Sequence, residues 1–181
     1  IGTITGLTGD TGLIGIDYRV QDGLLYGVGN VGGVYTLDTM TAAATLVSTL
    51  TVPLNGTAFG VDFNPAADRL RIVSNTGQNL RHNVNAGGTT LVDGTLTYVP
   101  PATALGIVGA AYTNNDLDLS TATTLFDLDA TLDQIAAQAP ANNGTLSATG
   151  KLTVDTGEAA GLDIYSTLRG GITVGNQAFA V

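Results

Sequence analysis

Short apolar runs broken by glycine- and asparagine-rich turns recur along the whole chain, and almost none shows the three-to-four spacing of a helix. Residues 12–50 hold the clearest example. Apolar and small residues fill 13–19, 24–28, 33–38 and 44–50, with Gln21-Asp22-Gly23 and the stretch 30–33 between them. Glycine at such turns supplies the positive φ that tight hairpins need. The pattern predicts four antiparallel strands in succession. One segment competes with this reading: 132–139 (LDQIAAQA) has helical composition, and Pro140 would end a helix there. Its place in the repeat favours a strand.

The pattern returns three times. Gly15-Ile16-Asp17-Tyr18 is echoed by Gly60-Val61-Asp62-Phe63, Gly109-Ala110-Ala111-Tyr112 and Gly161-Leu162-Asp163-Ile164, with the glycines 45, 49 and 52 residues apart. The second copy places strands at 60–64, 69–74, 78–83 and 89–93. The third places them at 109–113, 123–129, 134–139 and 144–151, around a polar insertion at 114–122. The fourth offers 161–165, 171–174 and 177–181. A period of about 40–50 residues with four strands per unit is the pattern of propeller blades. The expectation is one all-β, β-propeller-like domain over 1–181, with about four four-stranded blades at 12–50, 58–96, 105–152 and 159–181 plus 1–8. The last blade is expected to be built from both chain ends or completed by a neighbouring subunit. An unpaired strand edge is a template for another chain. Ile1, Thr3, Ile4, Ala178, Phe179 and Val181 are therefore the candidate assembly residues.

Composition narrows the partners. Apolar residues make up 44%, but aromatics only 6%, so the core must be aliphatic. Charged residues are 12%, about half the usual share, and Thr, Asn and Gly carry the polarity instead. A net charge of −9 argues against nucleic acid and anionic membranes, which need basic surface. No apolar run approaches the ~20 residues of a membrane span. The absence of cysteine excludes disulfides and thiolate metal sites. Few lysines with many Thr and Asn point to a secreted or cell-surface protein.

Several stretches carry a family resemblance. Residues 13–19 (LIGIDYR), 23–29 (GLLYGVG), 34–38 (VYTLD), 55–65 (NGTAFGVDFNP), 68–81 (DRLRIVSNTGQNLR) and 110–114 (AAYTN) resemble a bacterial secreted family of domains of unknown function, number 4394. The stretch 55–81 is the specific part, and the resemblance covers nearly the whole chain. It implies a small exported β-propeller without an assigned enzyme activity, in members that run longer at both ends.

Candidate chemistry is sparse. Asp17, Asp62 and Asp163 share one repeat position, where the third copy has Ala111. First strands line a propeller axis, so these carboxylates are candidate calcium ligands, although calcium takes six to eight oxygens. The plainer role is to accept backbone hydrogen bonds where blades meet. Arg69 and Arg71 project from one strand face and are expected to pair with Asp62, Asp68 or another subunit's acids. Asn115, Asp116, Asp118, Asp127, Asp129 and Asp133 form an acidic group without EF-hand spacing. His82 is the single histidine, and no Gly-x-Ser-x-Gly motif marks a nucleophile for it. Asn55 and Asn143 each begin an Asn-Gly-Thr glycosylation pattern. Together these readings predict a non-enzymatic, self-assembling extracellular protein that requires no cofactor and has glycans as possible partners. A calcium- or ligand-binding propeller module is the alternative, and a hydrolase using His82 or an Asp pair the third reading.

Overall fold

In the computed structural model, which describes residues 2–181, the chain is all-β and forms four sheets. Sheet 1 holds β1 (Leu13–Tyr18), β2 (Leu25–Gly29), β3 (Gly33–Leu37) and β4 (Ala44–Thr49) as an antiparallel meander. Sheet 2 repeats it with β5 (Phe59–Asn64), β6 (Arg69–Ser74), β7 (Asn79–His82) and β8 (Thr90–Val92). Sheet 3 is built on β11 (Ile107–Tyr112), β12 (Leu125–Asp129), β13 (Gln134–Gln138) and β14 (Thr145–Lys151). Two short strands extend it, β9 (Thr97–Tyr98) and β10 (Ala102–Thr103), with β9 parallel to β14. Sheet 4 is one hairpin, β15 (Leu162–Arg169) and β16 (Ile172–Ala180). The segment with helical composition is β13, because Ala136 and its neighbours alternate between β12 and β14. Among the described residues no helix is long and apolar enough to cross a membrane.

Three features depart from the repeat reading. The sheets hold four, four, six and two strands rather than four each. The fourth copy is a single long hairpin, since Gly170 and Gly171 both take positive φ and turn the chain once. The N-terminal stretch does not join the last sheet. Thr5 instead makes an isolated parallel bridge to Ala43 beside β4, donating its N–H to the Ala42 carbonyl at 3.1 Å and accepting from Ala44 N–H at 2.8 Å. Gly6 and Gly9, at φ 84° and 82°, break its extended course.

A shared turn device explains why the hairpins recur. Asp38, Asn64 and Asp129 each accept two N–H groups from the next three residues through one side-chain oxygen. Ala42, Asp68 and Asp133, four positions later in each case, adopt positive φ. Side chains of this kind stabilise turns by replacing a missing backbone bond.

The first strands lie side by side, β1 against β5, β5 against β11, and β11 against β15. Aliphatic side chains fill the spaces between sheets. Val28, Val34, Phe63, Leu70 and Leu80 lie between sheets 1 and 2, and Val73, Leu96, Ile107, Leu125 and Leu146 between sheets 2 and 3. Tyr26 meets Phe63 edge-on, with ring centroids 5.1 Å apart. The repeated glycine makes the close approach possible. A Cβ on Gly60 would stand 2.5 Å from the Ala110 backbone nitrogen, and one on Gly15 would stand 2.5 Å from the Val61 side chain. A Cβ on Gly109 would stand 2.9 Å from the Leu162 backbone nitrogen.

Gly60→Ala should therefore destabilise the fold by about 2–3 kcal/mol, because the obstacle is backbone and cannot rotate away. Gly150→Ala, with open space around it, should be near neutral. Urea titration of both variants checks this; equal midpoints would contradict the close-approach account.

Candidate functional site

Two residues beyond each repeat glycine the side chain points to where the first strands meet. There the sequence puts Asp17 on β1, Asp62 on β5 and Asp163 on β15. Each offers one carboxylate oxygen, and the three oxygens lie within 4.8 Å of one another. Asp62 is buried, Asp17 half-buried and Asp163 exposed. Two of the carboxylates join neighbouring sheets. Phe63 N–H on β5 donates to Asp17 Oδ2 at 2.7 Å, and Tyr112 N–H on β11 donates to Asp62 Oδ2 at 2.8 Å. The other Asp17 oxygen accepts its neighbour Tyr18 N–H at 2.7 Å. Ala111 leaves β11 without a carboxylate, and the next junction uses Asn115 instead. Its side-chain amide donates to the Ile164 carbonyl at 3.0 Å, and its N–H donates to Ser166 Oγ at 2.9 Å.

Burial, with a neighbouring carboxylate close by, raises the proton affinity of two of these acids. Burial pushes the Asp17 carboxyl up to about 7; the Phe63 and Tyr18 N–H groups oppose the shift and the Asp163 charge adds to it. Asp62 is pushed well above the usual carboxylate range by burial and then by the Asp17 charge. On either side of the trio the molecule is hollow. A cavity of about 230 Å³ has walls from all four first strands, including Gly15, Gly60, Gly109 and Gly161. Between β1 and β15 an open cleft of about 300 Å³ is floored by Asp17, Asp62 and Asp163, and it continues past Tyr18 and Tyr165. Anionic oxygens around a hollow can hold protons or a hard cation.

The other expected residues are dispersed. Arg71 is fully buried, and its partner is Asp93 at 2.6 Å rather than Asp62. It also donates to Tyr112 Oη, Asn79 Oδ1 and Asn142 Oδ1. Arg81 clamps the same Asp93 through two bonds of 2.6 and 2.9 Å. Among the described residues Arg69 bonds only the Ala67 and Asp68 carbonyls, since the Asp68 carboxylate is taken by Arg19 at 2.6 and 2.7 Å. That pair links the end of β1 to the turn after β5. The acidic group does not converge. Asp116 accepts Thr173 N–H, Asp118 accepts Ser120, Asp133 accepts Thr156, and Asp129 accepts Tyr98 Oη–H. Asp127 is buried with neither carboxylate oxygen paired, and burial pushes it well up. Asn55 and Asn143 are both exposed.

His82 does meet a serine. Ser48 Oγ on β4 lies 3.0 Å from Nε2, and Thr90 Oγ1 on β8 lies 3.0 Å from Nδ1. No carboxylate orients the ring, which is fully buried, and burial lowers its pKa. The arrangement ties sheet 1 to sheet 2. Ser48 carried no mark in the sequence. Nor did Asp10, whose buried carboxylate accepts Val31 N–H, Gly33 N–H at 3.1 Å and Tyr35 Oη–H at 2.6 Å. The glycines that clear space for it, Gly29 and Gly33, were the available signal.

Of the expected assembly residues, Ile1 lies outside the described residues. Thr3 and Ile4 are exposed beside sheet 1. Ala178 and Phe179 lie on β16, and Val181 follows it; all three are exposed.

The acid pair sets a pH dependence with a defined sign. A carboxyl whose pKa is raised on folding stabilises the fold below its unfolded value near 3.8, and that contribution disappears as pH rises through the folded value. His82, lowered from 6.5, costs stability only below that pH. Between pH 6.5 and 8.5 only the acids act. The melting temperature should fall across this window, by about 2–4 °C for each kcal/mol lost. Asp17→Asn/Asp62→Asn, which keeps the acceptor oxygens, should reduce the slope and leave the part due to buried Asp127. A wild-type melting temperature that rises across the window would contradict the assignment.

No curated protein matches the chain. A family model matches residues 1–181, the full length given. The chain belongs to the family described as the domain of unknown function DUF4394.

Proposed function

We propose that the four sheets are blades of an open β-propeller, and that the chain is a non-enzymatic extracellular structural module that assembles by strand addition between copies. The observation that carries this reading is β16. It runs for nine residues, pairs among the described residues only with β15, and is exposed along almost its whole length. Phe179 is 50% exposed and Val174 58%, so the free edge is apolar as well as long. Such an edge takes up another strand through main-chain bonds. Residues 2–5 run exposed beside sheet 1, attached to β4 through the Thr5 bridge, before Gly6 turns the chain. Joining that segment of one copy to β16 of the next is a heterologous contact, and such contacts propagate into filaments unless they close. The sparsely charged, Thr-rich surface and the exposed Asn55 and Asn143 suit an extracellular setting with glycan attachment. His82, the one histidine for hydrolysis, is enclosed between sheets.

Sedimentation velocity across a concentration series, with electron microscopy of the same samples, tests assembly. Species that grow with concentration and elongated particles are expected; a monodisperse monomer at every concentration would sink the proposal.

The trio of Asp17, Asp62 and Asp163 supports a second reading, a cation-binding module. Its three carboxylate oxygens converge within 4.8 Å, and among the described residues none of the trio is in a salt bridge. Calorimetry with calcium chloride at pH 8 should give a binding heat that Asp62→Asn removes. An unchanged heat in that variant would exclude the trio.

A further inference from the structure

Where sheet 4 stops, the face of sheet 3 beneath it is left partly open. A groove of about 230 Å³ runs between Phe126 and Ile135 of sheet 3 and Ile164 and Ala178 of the hairpin, and no charged side chain lines it. It continues the interface already made there, in which Leu162 and Ile135 both pack against the cluster of Ala58, Val108 and Leu128. Its rim is formed by Asn176 and Ala178 of β16. A strand added to β16 would therefore direct alternate side chains into this groove, because successive residues of a strand face opposite ways.

Residues 2–7 match it. Once Gly6 leaves its present φ of 84° on pairing, Gly2, Ile4 and Gly6 share one face of an extended strand, and Thr3, Thr5 and Leu7 the other. On the first face Ile4 is the only side chain, flanked by glycines that let the strand lie close. The segment is uncharged, like the groove, and Ile4 is 38% exposed. Its attachment to β4 is the pair of Thr5 backbone bonds. Beyond it Asp10 is fixed in sheet 1 by Gly33 and Tyr35, so residues 2–7 can lift away while the sheet stays intact.

Building on the strand-addition reading above, we propose that Ile4 of a second copy occupies the groove bounded by Phe126, Ile135, Ile164 and Ala178, with residues 2–7 paired to β16. Burying one aliphatic side chain in an apolar groove adds selectivity to an otherwise sequence-neutral backbone pairing.

The chain has no cysteine, so an introduced pair reports cleanly. Ile4→Cys/Ala178→Cys, oxidised mildly at a concentration where the wild type associates, should give a reducible ladder of covalent multimers. Ile4→Asp should keep the wild-type melting curve and weaken association about tenfold or more in sedimentation. If Ile4→Asp fails to fold, Ile4→Thr is read instead, with a smaller loss of the same sign. Wild-type-like association of the Ile4 variant, or a cross-link confined to the monomer, would overturn the groove assignment while leaving strand addition standing. A wild type that stays monomeric overturns both.

Discussion

The fold depends on how closely the first strands of neighbouring sheets approach. Gly15, Gly60 and Gly109 remove the side chain that would hold those strands apart. The acid two positions later then reaches a backbone N–H on the next sheet, Phe63 for Asp17 and Tyr112 for Asp62. One residue clears the space and the next polar one fills the hydrogen bond that the close approach requires. The aliphatic layers between sheets add most of the non-directional stabilisation, but they do not fix the register. The glycine and the carboxylate do.

That solution has an electrostatic cost. Carrying acids on consecutive first strands brings like charges together in a poorly solvated place, which raises their proton affinity. The Ala111 substitution removes one carboxylate from the group. Elsewhere the chain handles burial differently. Arg71, between sheets 2 and 3, meets Asp93, Asn79, Asn142 and Tyr112, and Arg81 shares Asp93. Buried charges with complete partners of this kind specify one docking arrangement between sheets, whereas Asp17 and Asp62 stay responsive to protons.

Much of the strand order was legible from the chain because glycine, asparagine and aspartate sit at fixed offsets from the apolar runs. The four strands of 12–50 and the first two of 58–96 fall within a residue or two of where turn chemistry placed them. The grouping of Asp17, Asp62 and Asp163 was readable from repeat position alone. What escaped was set by long-range contacts. Arg71 finds Asp93 through a neighbouring strand, and β9 and β10 add to β14 without a local pattern. The bridge of Thr5 to β4 depends on where Asp10 anchors the chain. The hairpin of β15 and β16 was read as shorter strands because Gly175 resembles a turn, whereas it lies beside a bulge within a continuous strand.

Amide hydrogen exchange of Phe63 and Tyr112 tests the junction account most directly. In the wild type both amides should exchange as slowly as the best protected core strands. In Asp17→Ala/Asp62→Ala both should exchange much faster, while Leu70 and Leu80 change only with global stability. Unaltered relative protection of Phe63 and Tyr112 in the variant would mean that the carboxylates do not hold the sheets together.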